Sequence, residues 1–228
     1  DGVCRSTDRG ASWTKITTAT PSVSRVGADP NDVTRVYLGT SDGMARSTDG
    51  GATFAVFNEG LNASSVLQVA LDPSNPATLY GVRDSASSAA RLLAKTTDGG
   101  QTWAEIGAAV PAGQTIKRVA VDPASVVYGV SDTRVLRSAN GGASWSDSSS
   151  GIQIVSPETD PLVWVGVAPS SPSRLYVAGK QTFFASTDSG ATWKAAGKLP
   201  DTFGTGVFAI DTVTPTTVYF GGPNSRGF

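Results

Sequence analysis

The chain has 228 residues, 39% of them hydrophobic, enough to bury the core of one large all-β domain or two small ones. Its formal net charge is -1 with no run of Lys or Arg, which excludes the basic footprint of a nucleic-acid binder, and no apolar stretch reaches the roughly 18 residues of a membrane span. Histidine is absent, so imidazole metal ligands and Ser–His or Cys–His dyads are excluded; no metal and no cofactor is expected, and any chemistry would fall to carboxylates, Tyr or Lys.

In chain order, Val3-Cys4-Arg5 reads as a short strand, and its lone cysteine is expected to be a small buried apolar group. The next landmark is Ser6 to Trp13, which reads Ser, any residue, Asp, any residue, Gly, any residue, Ser, Trp. The same box returns at Ser47 to Phe54, Thr96 to Trp103, Ser138 to Trp145 and Ser186 to Trp193. It is a hairpin turn written in side chains. Asp8, Asp49, Asp98, Asn140 and Asp188 can each accept the backbone N–H two residues on, and the Gly supplies the positive φ that the reversal needs. The box aromatics Trp13, Phe54, Trp103, Trp145 and Trp193 then return into a core. Burying one Trp removes about 150–250 Å² from water, worth roughly 4–6 kcal/mol before entropy is subtracted. The boxes are therefore expected to be structural.

Between boxes the sequence alternates in four short β-rich runs. Run A is Val66 to Pro73, echoed at Val23 to Pro30, Ile116 to Pro123, Leu162 to Pro169 and more loosely at Gly206 to Asp211. Run B carries all five tyrosines, Tyr37, Tyr80, Tyr128, Tyr176 and Tyr219, at one repeat position. Run C places Arg5, Arg46, Lys95 or Arg137 just before a box, with ion pairing between blades or a solvated surface as the expected role of the three arginines, and run D begins at the box aromatic. Boxes start 41, 49, 42 and 48 residues apart, the period of four-stranded propeller blades, and no segment sustains a 3.6-residue apolar period. The expected fold is an all-β propeller of antiparallel blades with little or no helix. Its blades fall at 23–58, 66–107, 116–148 and 162–197, and a fifth joins 3–16 to 206–222. That joining predicts a closed five-bladed ring, with part of a six- to eight-bladed propeller as the competing reading, since Arg226-Gly227-Phe228 looks like the start of another run C.

The five boxes resemble the BNR/Asp-box repeat, S-x-D-x-G-x-T-W. Phrases such as Asp42-Gly43-Met44-Ala45-Arg46-Ser47-Thr48-Asp49 resemble the blades of sialidases, sortilin-type receptors, photosystem II assembly factors and two-propeller xyloglucanases. The resemblance implies fold more than function. It also implies that the boxes lie on a lower face away from the ligand. A sialidase would need clustered arginines, an Arg-Ile-Pro element and a Tyr/Glu pair, and this chain departs from that pattern at every point. In the xyloglucanases an Asp after the Tyr-bearing strand acts as base of an inverting pair, a place held here by Asp42, with Glu158 and Asp160 as possible partners. Asp84 and Asp132 recur at the same repeat position, which favours a plain Asp turn.

The upper loops are where ligand contacts are expected, with Arg83, Asp84, Asp132, Arg134, Lys180 and Phe203 as candidates. The expected function is a non-catalytic binding or scaffolding propeller for carbohydrate or protein, extracytoplasmic or secreted. The alternative is an inverting glycoside hydrolase using Asp42, Glu158 or Asp160. Asn62-Ala63-Ser64 also fits a glycosylation sequon.

Overall fold

A computed structural model describes residues 2–16, 22–29, 31–61, 65–84, 91–154, 158–199 and 207–221. The sequon at Asn62, Phe203 and the stretch from Arg226 lie outside them. The described chain is almost entirely strand and turn, with one 3-10 turn at Gly107–Ala109. Two compact units divide it, Asp1–Ala108 and Ala109–Phe228.

In the first unit, β1 (Val3–Arg5) and β2 (Thr14–Ile16) form a two-stranded sheet. A four-stranded sheet follows, built of β3 (Val23–Ala28), β4 (Val36–Thr40), β5 (Gly43–Ser47) and β6 (Ala55–Val56). The next contains β7 (Val66–Leu71), β8 (Leu79–Asp84), β9 (Arg91–Thr96) and β10 (Ala104–Glu105). In the second unit, β11 (Arg118–Val121), β12 (Val127–Val130), β13 (Val135–Ser138) and β14 (Ser146–Asp147) form one blade. Another contains β15 (Trp164–Val167), β16 (Leu175–Ala178), β17 (Thr182–Ser186) and β18 (Lys194–Lys198). The last sheet pairs β19 (Val207–Ile210) with β20 (Val218–Gly221). Every pairing is antiparallel between consecutive strands, so each four-stranded sheet is a meander.

Burial follows from place in the blade. The second strands are rich in Val, Leu and Tyr and covered on both faces, as in β12 and β16, where every residue is buried. The fourth strands are exposed, and in three blades they have only two residues, a length that limits pairing with stray strands. Tyr37, Met44, Leu61, Val66, Leu79 and Trp103 make the core of the first unit, and Tyr128, Val130, Leu162, Val177, Phe184 and Trp193 are central to that of the second.

Two expectations need correction. Cys4 is exposed, on a strand that among the described residues pairs with β2 alone. The box aromatics are not equivalent: Trp103 and Trp193 are 6% and 3% exposed, Phe54 and Trp145 are half-buried, and Trp13 is 65% exposed. Trp103 and Trp193 each lie against the loop that follows the preceding blade. Tyr219 is likewise exposed on the two-stranded β19–β20 sheet, while the other four tyrosines are buried.

The turn joining first and second strands uses a device that the sequence displayed as Asp-Pro. Asp29, Asp72 and Asp122 are buried, and each accepts the backbone N–H two residues on, from Asn31, Ser74 and Ala124 at 2.9 Å.

Candidate functional site

The box carboxylates reach further than two residues. Asp49 accepts the backbone N–H of Thr53 at 2.9 Å and its hydroxyl at 2.6 Å, and Ser47 gives its hydroxyl hydrogen to Asp49 while accepting from Gly51 N–H. Asp98 repeats this with Thr96, Gly100 and Thr102, and Asp188 with Ser186, Gly190 and Thr192. Asp8 does the same with Ser6 and Ser12. Asn140 fits by donating from its amide to Ser144 Oγ while accepting from Ser144 N–H. Two successive residues take positive φ in each box, as at Gly50 and Gly51, and the first need not be glycine: Arg9 and Ser189 hold that place at 60° and 58°.

Hydrogen bonds from Ser12 hold the Asp8 carboxyl down at about 2, and those from Thr192 do the same for Asp188; Thr53 and Thr102 lower Asp49 and Asp98 still further. A carboxyl depressed in the folded state stabilises it fully above the unfolded value of about 3.9 and loses that contribution as pH falls through the folded one. Stability is therefore expected to fall between about pH 4 and pH 2. Urea midpoints from pH 6 to pH 2 check this. Substituting Asn at Asp8, Asp49, Asp98 and Asp188 together should flatten the decline, and an unchanged slope would refute the role given to the boxes.

The boxes also receive the neighbouring blade. Trp103 N–H donates to Glu59 O and Trp193 N–H to Ser150 O, so the segments 59–61 and 150–152 clamp onto the next box. In both clamps the following residue is a glycine with positive φ, Gly60 or Gly151, lying under the tryptophan carbonyl. Leu61 then plugs the first core and Ile152 packs against the second. The clamp residues belong to the loops where ligand contacts were expected, and the Gly-Leu and Gly-Ile steps were the signal in the sequence.

In the second unit this clamp shapes a groove of about 1040 Å³. Its walls are Thr133, Arg134 and Arg137, the stretch Ser146 to Ser150, Ile152 to Ile154, and Asp188, Ser189 and Ala191 of the next box. A loop residue expected on the upper face thus shares a cavity with a box expected on the lower one. The lining is rich in hydroxyls and contains no aromatic ring. Both of its carboxylates are engaged. Asp188 is held by its box, and Asp147 pairs with Arg134 and accepts from Ser149 N–H at 2.8 Å. Burial pushes the Asp147 carboxyl up, but the bonds from Ser149 and the Arg134 charge outweigh it and leave it below the usual range.

Of the other residues singled out, Arg83 is 2% exposed on β8 and paired with Glu105. Asp84 ends β8, exposed, with its N–H on Ser65 O. Asp132 pairs with Lys117, and Lys180 sits in the β16–β17 turn. Asp160 accepts from Gln181 N–H at 2.7 Å, so it anchors that same turn. Glu158 is exposed in the second unit, and Asp42 is exposed at the β4–β5 turn of the first, where its carbonyl accepts from the Asn58 amide. Among the described residues, Arg134 is the one expected ligand residue that lines the groove. Trp164, Phe183 and Phe208 form one stack, with centroids 4.8 Å apart for Trp164–Phe208 and 6.1 Å for Phe183–Phe208.

No protein-family model matches the chain, and no curated protein matches it in sequence. In structure it is similar to the GH74 xyloglucanase of Xanthomonas campestris, with a TM-score of 0.73 and 18% identity over 96% of this chain and 39% of that one. It is also similar to YCF48 bound to D1 peptide, with a TM-score of 0.67 and 17% identity over 96% of this chain and 68% of that one. A third likeness is to the COPII outer coat vertex, with a TM-score of 0.69 and 12% identity over 96% and 61% of the two chains. An enzyme, a peptide-bound protein and a coat component share the architecture, and the chain spans well under half of the xyloglucanase. At these identities the likeness shows the fold alone: four-stranded antiparallel blades of β-propeller type.

Proposed function

We propose that the chain is a non-catalytic binding module that seats an extended segment of a partner protein in the groove of its second unit. The observation that carries this reading is the state of the groove's carboxylates. An inverting glycosidase needs one carboxyl held protonated near neutral pH and a second free to activate water. Asp147 and Asp188 are both held ionised by bonds to the fold. The ring-free lining favours a peptide over a sugar, because aromatic faces are what sugar pockets offer to the apolar side of a pyranose. YCF48, a structure of similar fold, is seen with a peptide bound.

The test is retention on an array of twelve-residue synthetic peptides, run beside a hydrolysis and binding assay on xyloglucan. Wild-type protein is expected to retain peptides, and Ser150→Trp, which fills the groove from an exposed position, should abolish retention with an unchanged melting temperature. Xyloglucan should be neither cleaved nor bound. Turnover lost in Asp42→Asn or Glu158→Gln would overturn the reading in favour of the hydrolase, and peptide retention indifferent to Ser150→Trp would overturn the placement.

A further inference from the structure

We propose that the segment bound in this groove is acidic and that Arg137 is the residue that selects it. The inference rests on the reading of the groove as a peptide site, and it starts from a repeated position in the blades. Opposite each buried tyrosine of a second strand, the third strand places Arg46 against Tyr37, Lys95 against Tyr80, Arg137 against Tyr128 and Ala185 against Tyr176. In the first unit Arg46, like Arg5 on β1, clasps the next box: Arg5 donates to Gly50 O at 2.9 Å and Arg46 to Gly99 O at 2.6 Å. Where Arg46 does so, the Tyr37 hydroxyl is buried with no hydrogen-bond partner among the described residues. Lys95 lies over the Tyr80 ring.

The second unit clasps by tyrosine. The Tyr128 hydroxyl lies 3.2 Å from Ser189 O, the carbonyl equivalent to Gly50 O and Gly99 O, and also within reach of Asp122. In the following blade the Tyr176 hydroxyl donates to Pro215 O at 2.8 Å with only Ala185 opposite it. There a tyrosine holds the next sheet through its β19–β20 turn rather than through a box, with no basic residue opposite. With the box carbonyl taken by Tyr128, Arg137 keeps one bond to the Tyr128 oxygen and lines the groove half-exposed.

The charges in the groove leave this guanidinium as the one available for a ligand. Arg134 is neutralised by Asp147, and the oxygens of Asp188 are taken by Ser186 and Thr192. Among the described residues no carboxylate pairs with Arg137. A guanidinium presents five N–H donors in a fork that matches a carboxylate. The hydroxyls around it suit the backbone of an extended chain, whose donors and acceptors recur along its length.

The experiment uses two fluorescein-labelled twelve-residue peptides, one alternating Glu and Ser and the other Gln and Ser, titrated by anisotropy at low salt and at high salt. The acidic peptide should bind at least about tenfold more tightly, the scale of one charge-assisted bond, and salt should erode the preference. Arg137→Gln should abolish the preference while leaving the melting temperature unchanged, since Tyr128 keeps the clasp, and Arg137→Lys should keep part of it. Equal binding of both peptides, with both lost in Ser150→Trp, would overturn the acidic preference and leave the groove reading standing. Binding of neither peptide would overturn both. An Arg137→Gln variant that melts early yet still prefers the acidic peptide would overturn the role of Arg137, and tighter binding of polygalacturonate than of the acidic peptide would overturn the choice of a peptide.

Discussion

Gly151→Ala is expected to destabilise the second unit by about 3 kcal/mol or more, and Gly60→Ala the first by a similar amount. Two costs add at each site. The backbone sits at φ of +91° and +85°, a region that L side chains rarely adopt. A Cβ there would lie 2.2 Å from Trp193 O at Gly151 and 2.0 Å from Trp103 O at Gly60, and both obstacles are backbone. Relief would require opening the clamp, which would also withdraw Ile152 or Leu61 from its core. Gly113 separates the two costs, because its φ is +77° yet a Cβ would meet nothing within 4 Å, so Gly113→Ala should cost only about 1 kcal/mol. Urea denaturation of the three variants checks this ranking. Equal losses would mean that conformation alone, not the closeness of the tryptophan carbonyl, requires glycine at the clamp.

The fold was legible because its signals are local and repeated. Five boxes at blade-length spacing and a tyrosine at one repeat position placed the meanders, since turn residues and two-residue alternation act within a strand pair. What the repeat could not show is how one motif differs from its copies. Trp13 and Trp193 have the same local sequence pattern, but exposure depends on whether another blade's loop covers the ring, which is a long-range fact. The candidate site was less legible for the same reason. Arg134 could be singled out from its loop, but Arg137 read as one more run C residue. Its release depends on which of two side chains takes the carbonyl of the next box, Arg46 in one blade and Tyr128 in another. Arg83 read as a loop cation and is a buried partner of Glu105, because the β8–β9 ladder continues through Arg83 and Asp84.

That difference between identical motifs has an energetic consequence. Trp193→Ala is expected to cost about 3–5 kcal/mol, the range for deleting a large buried aromatic, while Trp13→Ala should cost less than about 1 kcal/mol. Trp193 joins the second unit's main hydrophobic cluster and donates its indole N–H to Ser148 O at 2.6 Å. Removing it leaves a cavity and orphans a carbonyl beside Ser148 Oγ, which itself donates to Gly190 O in the same box. Trp193→Phe divides the two terms: most of the ring packing stays, and the loss should shrink to about 1–3 kcal/mol for the unpaired carbonyl. Equilibrium urea unfolding measures all three. A Trp13→Ala loss as large as that of Trp193→Ala would show that the ring of Trp13 is covered in solution, and the β1–β2 sheet would then need a packing partner.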